Sequence, residues 1–128
     1  MEQLPGFIEK KRSIANNYRT APASVFGITS MPEAPWARSI VWLYTVLVDQ
    51  DAHGKDSRAL MRRLARQRIQ SRPLWQPLHR SPVYRQAQVY GGEVADKLNR
   101  LALSLPCSVG LNEIEIQAVT GAIKSIHG

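Results

Sequence analysis

A nine-residue run of β-branched, aliphatic and aromatic side chains, Ile40 to Val48, constrains the fold of this chain more than any other feature. Such residues favour extended backbone, and a run that is apolar on both faces is typical of a strand buried on both sides. The run is far too short to cross a bilayer. The sequence therefore predicts a central strand over residues 40–48, followed by a turn at Asp49 and a loop at His53 and Gly54.

Apolar residues recur every three or four positions in four other stretches, which is the spacing of one face of a helix. The first stretch covers residues 4–18. Asp56 or Ser57 is a suitable N-cap for the second, and Asn112 with Glu115 resembles the capping box that opens the last. The predicted helices cover residues 4–18, about 57–67, 93–101 and a final segment after Asn112.

The predicted helices carry apolar stripes that we expect to face the core. Leu60 and Leu64 form this stripe in the second helix. The inward residues of the third and last helices are expected to be Val94, Leu98, Leu101, Ile116, Val119, Ile123 and Ile126.

Two short segments that contain proline predict further strands. Residues 69–74 are expected at a sheet edge because Pro73 cannot donate to a ladder, and residues 103–106 are expected to be an edge strand ended by Pro106. Proline and glycine punctuate residues 20–35, which therefore predict irregular structure. The chain predicts a single α+β domain over residues 1–128, with about three strands packed against about four helices.

The composition excludes several classes of protein. One cysteine, Cys107, excludes an intramolecular disulfide framework and a cysteine zinc site. The three histidines lack metal-ligand spacing, and the first residues lack the basic-then-apolar order of a secretory signal. With no membrane-spanning run, these points favour the cytoplasm and argue against a membrane partner.

The charge balance is strongly basic, with a net charge of +7, 12 arginines and five lysines. Arg58, Arg62 and Arg66 lie at i, i+4 and i+8 on the second predicted helix. A phosphorylated ligand would suit this stripe because a guanidinium can donate two hydrogen bonds at once. A solvated basic face is the simpler interpretation. No helix-turn-helix, RRM or KH pattern is visible, so nucleic acid is not the expected partner.

The segment Ile69–His79 places an Arg, a Trp and a His around two prolines, which is how a rigid loop presents polar groups to a small ligand. We take four residues as candidate substrate-binding groups. Arg72 would bind phosphate or carboxylate, Trp75 would stack on a sugar or base, and His79 and Tyr84 would form hydrogen bonds. The alternatives are a surface ion pair for Arg72, burial under the proline loop for Trp75, a backbone hydrogen bond for His79 and packing for Tyr84.

Five stretches of the chain, taken in order, carry the pattern of a known family. Ile69–His79 has the form Ile-x-x-Arg-Pro-x-Trp-x-Pro-x-His, and Trp42–Val48 has the form Trp-x-Tyr-x-Val. The others are Phe7–Tyr18, Gly54–Arg68, and Leu103–Ser108 with the helix start at Asn112. Together they resemble the C-terminal part of the DegT/DnrJ/StrS family of sugar-nucleotide aminotransferases, which depend on pyridoxal phosphate (PLP).

This resemblance implies the small C-terminal domain of a fold-type I aminotransferase, with His79 near the active site. It further implies a 4-keto-6-deoxy nucleotide sugar as substrate. In the family, the lysine that holds PLP lies in the N-terminal domain, and none of Lys10, Lys11, Lys55, Lys97 and Lys124 matches its position. We therefore expect no cofactor site and no transamination from this chain alone.

The resemblance also implies the partners. We expect a PLP domain supplied elsewhere or a homo-oligomer, since these enzymes build their sites in dimers. A truncated gene or a mobile gene cassette would account for such a piece, and it would expose an apolar surface where the large domain packs. The alternative is a stand-alone binding module of the same fold for a nucleotide, nucleotide sugar or nucleic acid, which would use the arginine stripe with Arg72.

Overall fold

A computed structural model describes residues 2–20 and 25–125, which form one four-stranded sheet with helices packed against it. The helices are α1 (Leu4–Thr20), α2 (Gln50–His53), α3 (Ser57–Arg66), α4 (Glu93–Leu101) and α5 (Glu113–Lys124). The strands are β1 (Ile28–Ser30), β2 (Tyr44–Val48), β3 (Arg72–Pro73) and β4 (Ala102–Leu105). Two single-turn 3-10 helices, Leu78–Arg80 and Pro82–Tyr84, lie in the segment between β3 and α4.

The strands lie in the order β1-β2-β4-β3, and every neighbouring pair is antiparallel. Tyr44 is paired with Leu105 in the β2–β4 register, and Arg72 is paired with Ser104 at the β3 edge. The α+β class is confirmed. The sheet has one strand more than expected, and the described residues hold one helix more.

One face of the sheet carries the core. Tyr44, Val46 and Val48 alternate along β2 and are buried, because successive strand residues point to opposite faces. Tyr18 of α1 packs against Tyr44 with a centroid distance of 5.1 Å, and its hydroxyl donates to the Pro106 carbonyl at 2.8 Å. The other buried residues on this side include Ile14, Leu60, Leu64, Leu103, Ile116, Val119 and Ile123. Ile126, which the sequence places on the same stripe, lies outside the described residues.

The two predicted helix caps are confirmed. Asp56 caps α3 by accepting from the Ala59 amide at 2.6 Å. Asn112 accepts from the Glu115 amide at 2.9 Å, while the Glu115 carboxylate accepts from the Asn112 amide at 2.9 Å. These reciprocal bonds satisfy amides that a helix start leaves without partners.

A carboxylate fixes the loop before β2 onto α1. Glu33 accepts from Arg12 at 2.8 Å, from Arg19 at 3.2 Å and from the Ser39 amide at 2.7 Å. The hydrogen bonds from Arg12 and Ser39 lower the pKa of Glu33 from 4.5 to about 2, against the opposing effect of burial.

Three strand predictions are wrong in extent or position. The strand predicted over 40–48 begins only at Tyr44, because Val41 adopts a left-handed φ of 50° that extended backbone does not allow. Residues 28–30, within a segment predicted to be irregular, form β1. The strand predicted at 103–106 is not at an edge: it becomes β4, between β2 and β3, since Pro106 lies just beyond its end.

The remaining strand and loop predictions need smaller corrections. The edge strand predicted over 69–74 is confirmed in position but covers only β3. The predicted loop at His53 and Gly54 contains the short helix α2, which ends where Gly54 adopts a left-handed φ of 76°. His53 is buried at this turn.

Helix α4 has the predicted bounds but not the predicted burial. The described structure buries none of its side chains: Val94 is 71% exposed, Leu98 is also exposed and Leu101 is half-buried. The burial expected for Val94 and Leu98 is therefore wrong, whereas Leu101 is partly covered by the rest of the described structure. The helices that the structure describes include none with the length and apolar character to cross a membrane.

Candidate functional site

Helix α4 holds the segment that follows β3 in a fixed conformation. The Asn99 side-chain amide donates to the carbonyls of Leu74 and Trp75, at 2.8 and 2.9 Å. One side chain thus satisfies two consecutive backbone carbonyls of this segment.

One turn earlier, Asp96 holds the next part of this segment. Its Oδ1 lies 2.9 Å from Nε2 of His79 and accepts from Nε of Arg80 at 2.6 Å. Burial favours the protonated acid, but the hydrogen bonds from Arg80 and His79 outweigh it and hold the pKa of Asp96 below its ordinary value. The carboxylate is therefore charged at neutral pH and orients the imidazole of His79.

Gly92 completes this support. It precedes α4 with a left-handed φ of 119°, and a Cβ at this position would lie 3.2 Å from Cε1 of His79. Only glycine combines this φ with so close an imidazole. His79 is thus packed against backbone on one side and hydrogen-bonded to a carboxylate, and it does not form the backbone hydrogen bond considered as its alternative.

Trp75 is exposed, not buried beneath the prolines. Its ring stacks on that of Trp42, with centroids 5.8 Å apart and planes inclined by 13°. Each tryptophan remains 66% exposed. The pair forms an aromatic wall at the surface, which is the type of surface that stacks against a sugar or a base.

This wall borders a cleft of about 620 Å³ that lies between α5 and the side of the sheet formed by β4 and the edge strand β3. The volume is within the roughly 300–1,000 Å³ that small-molecule sites occupy. Three charged residues line the cleft, Arg68, Arg72 and Glu115, among mainly apolar neighbours. Its lining residues include Trp42, Trp75, Ile69, Ser104, Cys107 and Leu111.

Strained backbone flanks the same cleft. Among the described non-glycine residues, only Val41 and Arg68 have positive φ, 50° and 61°. Val41 directly precedes Trp42, and Arg68 itself lines the cleft. A β-branched residue in this conformation is costly and persists where the surroundings impose it, which occurs often at ligand sites.

The structure brings two of the four candidate residues together. Arg72 and Trp75 line the cleft, whereas His79 and Tyr84 do not and lie further along the segment held by α4. Arg72 forms no ion pair with any described residue, and Tyr84 is exposed. Sequence reasoning missed Trp42 and Arg68 as cleft residues: Trp42 belonged to the predicted core strand, and Arg68 was not a candidate site residue.

The lysines do not form a PLP site. Lys11 is the half-buried one; it donates to the Trp42 carbonyl at 2.8 Å and lies 3.8 Å from Sγ of Cys107. The others are exposed, and no lysine among the described residues lines the cleft. A PLP enzyme needs a lysine amine at the cofactor and an acidic partner for its ring nitrogen. The described residues do not fit that group, and none of their clusters could hold a metal ion.

Cys107 is also unsuited to nucleophilic chemistry. It is buried, and burial raises the pKa of its thiol despite the opposing effect of Lys11. A thiol in this state has little of the thiolate that attacks substrates.

Comparison with known proteins places this fold among aminotransferases. Residues 1–124 match the DegT/DnrJ/EryC1/StrS aminotransferase family. The chain is 33% identical over 119 residues to EpsN of Bacillus subtilis, provisionally named a pyridoxal phosphate-dependent aminotransferase; the match covers 90% of this chain and 30% of EpsN.

Solved structures agree with this match. The aminotransferase TlmJ from Streptoalloteichus hindustanus shares 24% identity and a TM-score of 0.87, over 98% of this chain and 33% of TlmJ. A DegT/DnrJ/EryC1/StrS aminotransferase from Brucella abortus shares 27% identity and a TM-score of 0.77, over 94% of this chain and 31% of that enzyme. The chain therefore spans about a third of the length of these relatives.

Proposed function

Because this chain belongs to the DegT/DnrJ/EryC1/StrS aminotransferase family, we propose that it is the C-terminal domain of a PLP-dependent aminotransferase acting on a nucleotide sugar of the 4-keto-6-deoxy type. In this proposal the chain contributes substrate-binding residues and does not transaminate alone. A cytoplasmic location is part of the proposal.

The main support for this proposal is that the match covers nearly all of this chain but only about a third of its relatives. The family match includes nearly the whole chain, yet the chain corresponds to about a third of EpsN and of TlmJ. PLP chemistry requires a lysine amine at the cofactor, and no described lysine lines the cleft. A further PLP-holding domain, in the same polypeptide or in another, would supply that lysine.

The geometry supports a role in substrate binding for the segment held by α4. Arg72 is an exposed guanidinium without an ion-pair partner in the described structure, which suits a phosphate. Trp75, stacked on Trp42, offers an aromatic face for a ring of the substrate. His79, oriented by Asp96, and Tyr84 would donate or accept hydrogen bonds with sugar hydroxyls.

Exposed apolar side chains support the proposal that another domain or subunit packs against this chain. Val83, Tyr90 and Val94 are large, largely exposed side chains on α4 and on the segment before it. Exposed apolar side chains of this size are candidates for a protein–protein contact. We propose that the PLP domain, or a second copy of the enzyme, covers this face.

A chimera tests the proposal. The present chain would replace the C-terminal third of EpsN, with the junction at the start of α1. We expect the chimera to bind PLP, seen in its absorbance, and to transfer an amino group from an amino-acid donor to a keto nucleotide sugar. The same chimera with Arg72→Ala and His79→Ala should keep PLP and lose that transfer.

Two controls make the test decisive. The EpsN part alone and the 128-residue chain alone, each supplied with PLP, should be inactive. Amino transfer by the 128-residue chain alone would contradict the proposal. A chimera that is folded and PLP-bound, yet aminates simple keto acids and no nucleotide sugar, would rule out the substrate class.

A further inference from the structure

A second concave surface lies on α3, apart from the cleft that contains Trp42 and Trp75. Lys55, Arg62, Arg63 and Arg66 line it, with Ala59 and Gln67 between them, around a volume of about 540 Å³. We call these four cations the α3 basic cluster. They share no residue with the cleft, so this surface is not part of the site proposed above.

The cluster differs from the arginine stripe that the sequence indicates. Arg58 does not belong to it, because its guanidinium turns to α4 and donates to the Asn99 carbonyl at 3.2 Å. Arg62 and Arg66 remain exposed and are joined by Arg63 and Lys55. The helical stripe therefore becomes a concave arrangement of four cations.

Lys55 is next to Asp56, whereas the three arginines of the cluster have no acidic neighbour in the sequence. The sequence contains no Asp or Glu between Asp56 and Glu93, an interval that holds eight arginines. Within the described part of the chain, none of the four cations forms an ion pair. Like charges at i and i+4 repel, as Arg62 and Arg66 do here, unless an anion lies between them.

Part of the cluster is held in place before any ligand binds. Nη2 of Arg63 donates to the carbonyl of Ser125 at 2.6 Å and to its hydroxyl at 3.2 Å. These bonds fix the guanidinium of Arg63 against the end of α5. Preorganised donors lose less conformational entropy when a ligand binds.

We propose that the α3 basic cluster is a binding site for a compact polyphosphate group, either inorganic or the phosphate chain of a nucleotide. Three guanidiniums and one ammonium provide enough donors for several phosphate oxygens at once. The lining contains no aromatic residue, so the surface lacks the stacking platform that single-stranded nucleic acid uses. The charge is concentrated in one concavity, which fits a short polyanion.

Titration calorimetry of the 128-residue chain with inorganic tripolyphosphate tests this site. We expect one molecule to bind per chain, and the Arg62→Gln/Arg66→Gln variant to bind it about tenfold or more weakly. The Arg38→Gln/Arg85→Gln variant is the matched control: both arginines are exposed, both lie outside the cluster, and each double variant lowers the net charge from +7 to +5 (7 − 2). This control should bind like the parent chain.

The outcomes distinguish a specific binding site from non-specific electrostatic attraction between a basic protein and a polyanion. Equal weakening in both variants, or no binding by the parent chain at low salt, would overturn the proposal. Circular dichroism confirms that the variants are folded. A nucleoside triphosphate that binds more tightly than tripolyphosphate identifies the ligand as a nucleotide, and equal affinities identify the phosphate chain alone. If only an oligonucleotide binds, the site is not one for a compact polyphosphate.

Discussion

At the scale of single residues, the contacts of Glu33 predict a pH dependence of stability. Its pKa falls from 4.5 to about 2 in the folded chain because Arg12 and Ser39 donate to it. A carboxylate whose pKa is lower in the folded chain than in the unfolded chain stabilises the fold. This contribution is complete at pH values above the pKa of the unfolded chain. That stability is lost as the pH falls towards the folded pKa. Glu33 should therefore stabilise the fold fully above about pH 4.5 and progressively less down to about pH 2.

Urea unfolding between pH 6 and pH 2 measures this effect. The Glu33→Gln variant should be less stable than the parent chain at pH 6, and the difference should shrink as the pH falls. Glu9→Gln, on an exposed part of α1, is the control and should follow the parent curve. A constant difference between Glu33→Gln and the parent across this range would show that the ionisation of Glu33 contributes nothing.

A second prediction at this scale concerns Arg72 and His79 as binding residues. Both can be removed with little effect on folding, since Arg72 is exposed and His79 is half-buried with one hydrogen bond to a side chain. We expect Arg72→Ala/His79→Ala to abolish nucleotide-sugar binding by the completed enzyme while costing about 1 kcal/mol or less of stability. Arg85→Ala is the control. A loss as large as that of a core truncation, about 2–5 kcal/mol, would assign these residues to folding instead.

The sequence indicated part of the site, and the missing part has a physical reason. The segment Ile69–His79 indicated Arg72 and Trp75 as candidate binding residues, and both line the cleft. Trp42 and Arg68 also line it, and a residue with positive φ precedes Trp42 and another is Arg68 itself. The apolar pattern carries no information about such positions, because valine favours extended backbone and gives no sign of a positive φ at residue 41.

At the scale of secondary structure, α4 supports the segment between β3 and α4, which we propose binds substrate. Asn99 and Asp96 are three residues apart and so lie on one face of the helix, where they bind Trp75 and His79 respectively. Asn99→Ala would leave two loop carbonyls without their partner. We expect faster amide exchange in residues 72–84 with little change in α1 or α5, because loop order depends on these bonds while the core does not.

Hydrogen exchange read by mass spectrometry distinguishes local from global loosening. Asn16→Ala, at an exposed position of α1, is the control and should leave residues 72–84 unchanged. Faster exchange in every element of Asn99→Ala would mean that α4 stabilises the whole fold and not the segment alone.

The starts of helices with a capping residue next to them in the sequence were predicted correctly. Strands that form only by pairing with another strand were not. Both N-caps identified helix starts because the capping side chains lie next to the helix in sequence. β1 has three residues, too few for a periodic signal, and exists because β2 offers it an edge. Helix α4 has the predicted apolar stripe, but no residue of α4 is buried in the described structure.

At the scale of the whole molecule, the exposed apolar face predicts self-association. Tyr90 is 84% exposed, and Val94 of α4 is exposed as well. In the chain alone, a second copy can cover such side chains and remove them from water. Sedimentation over a range of concentrations should show reversible association that Tyr90→Ser/Val94→Ser reduces.

A matched pair of exposed apolar residues controls for hydrophobicity in general. Leu4→Ser/Ile114→Ser removes exposed side chains from α1 and α5, and should leave the association unchanged. If both double variants reduce it equally, the association is unspecific and α4 is not the contact. A strictly monomeric parent chain would contradict the prediction.

The position of β4 within the sheet has a consequence for how the chain is made. Tyr44 is paired with Leu105, 61 positions later (105 − 44). The second edge of β2 can therefore be covered only after most of the remaining polypeptide has been synthesised. Ribosomes add about 5–20 residues per second, so the apolar edge of β2 stays open for several seconds. An open strand edge is a template for pairing with another nascent chain. Synthesis is therefore the interval in which this protein is most exposed to aggregation, and slow translation after Val48 would lengthen it.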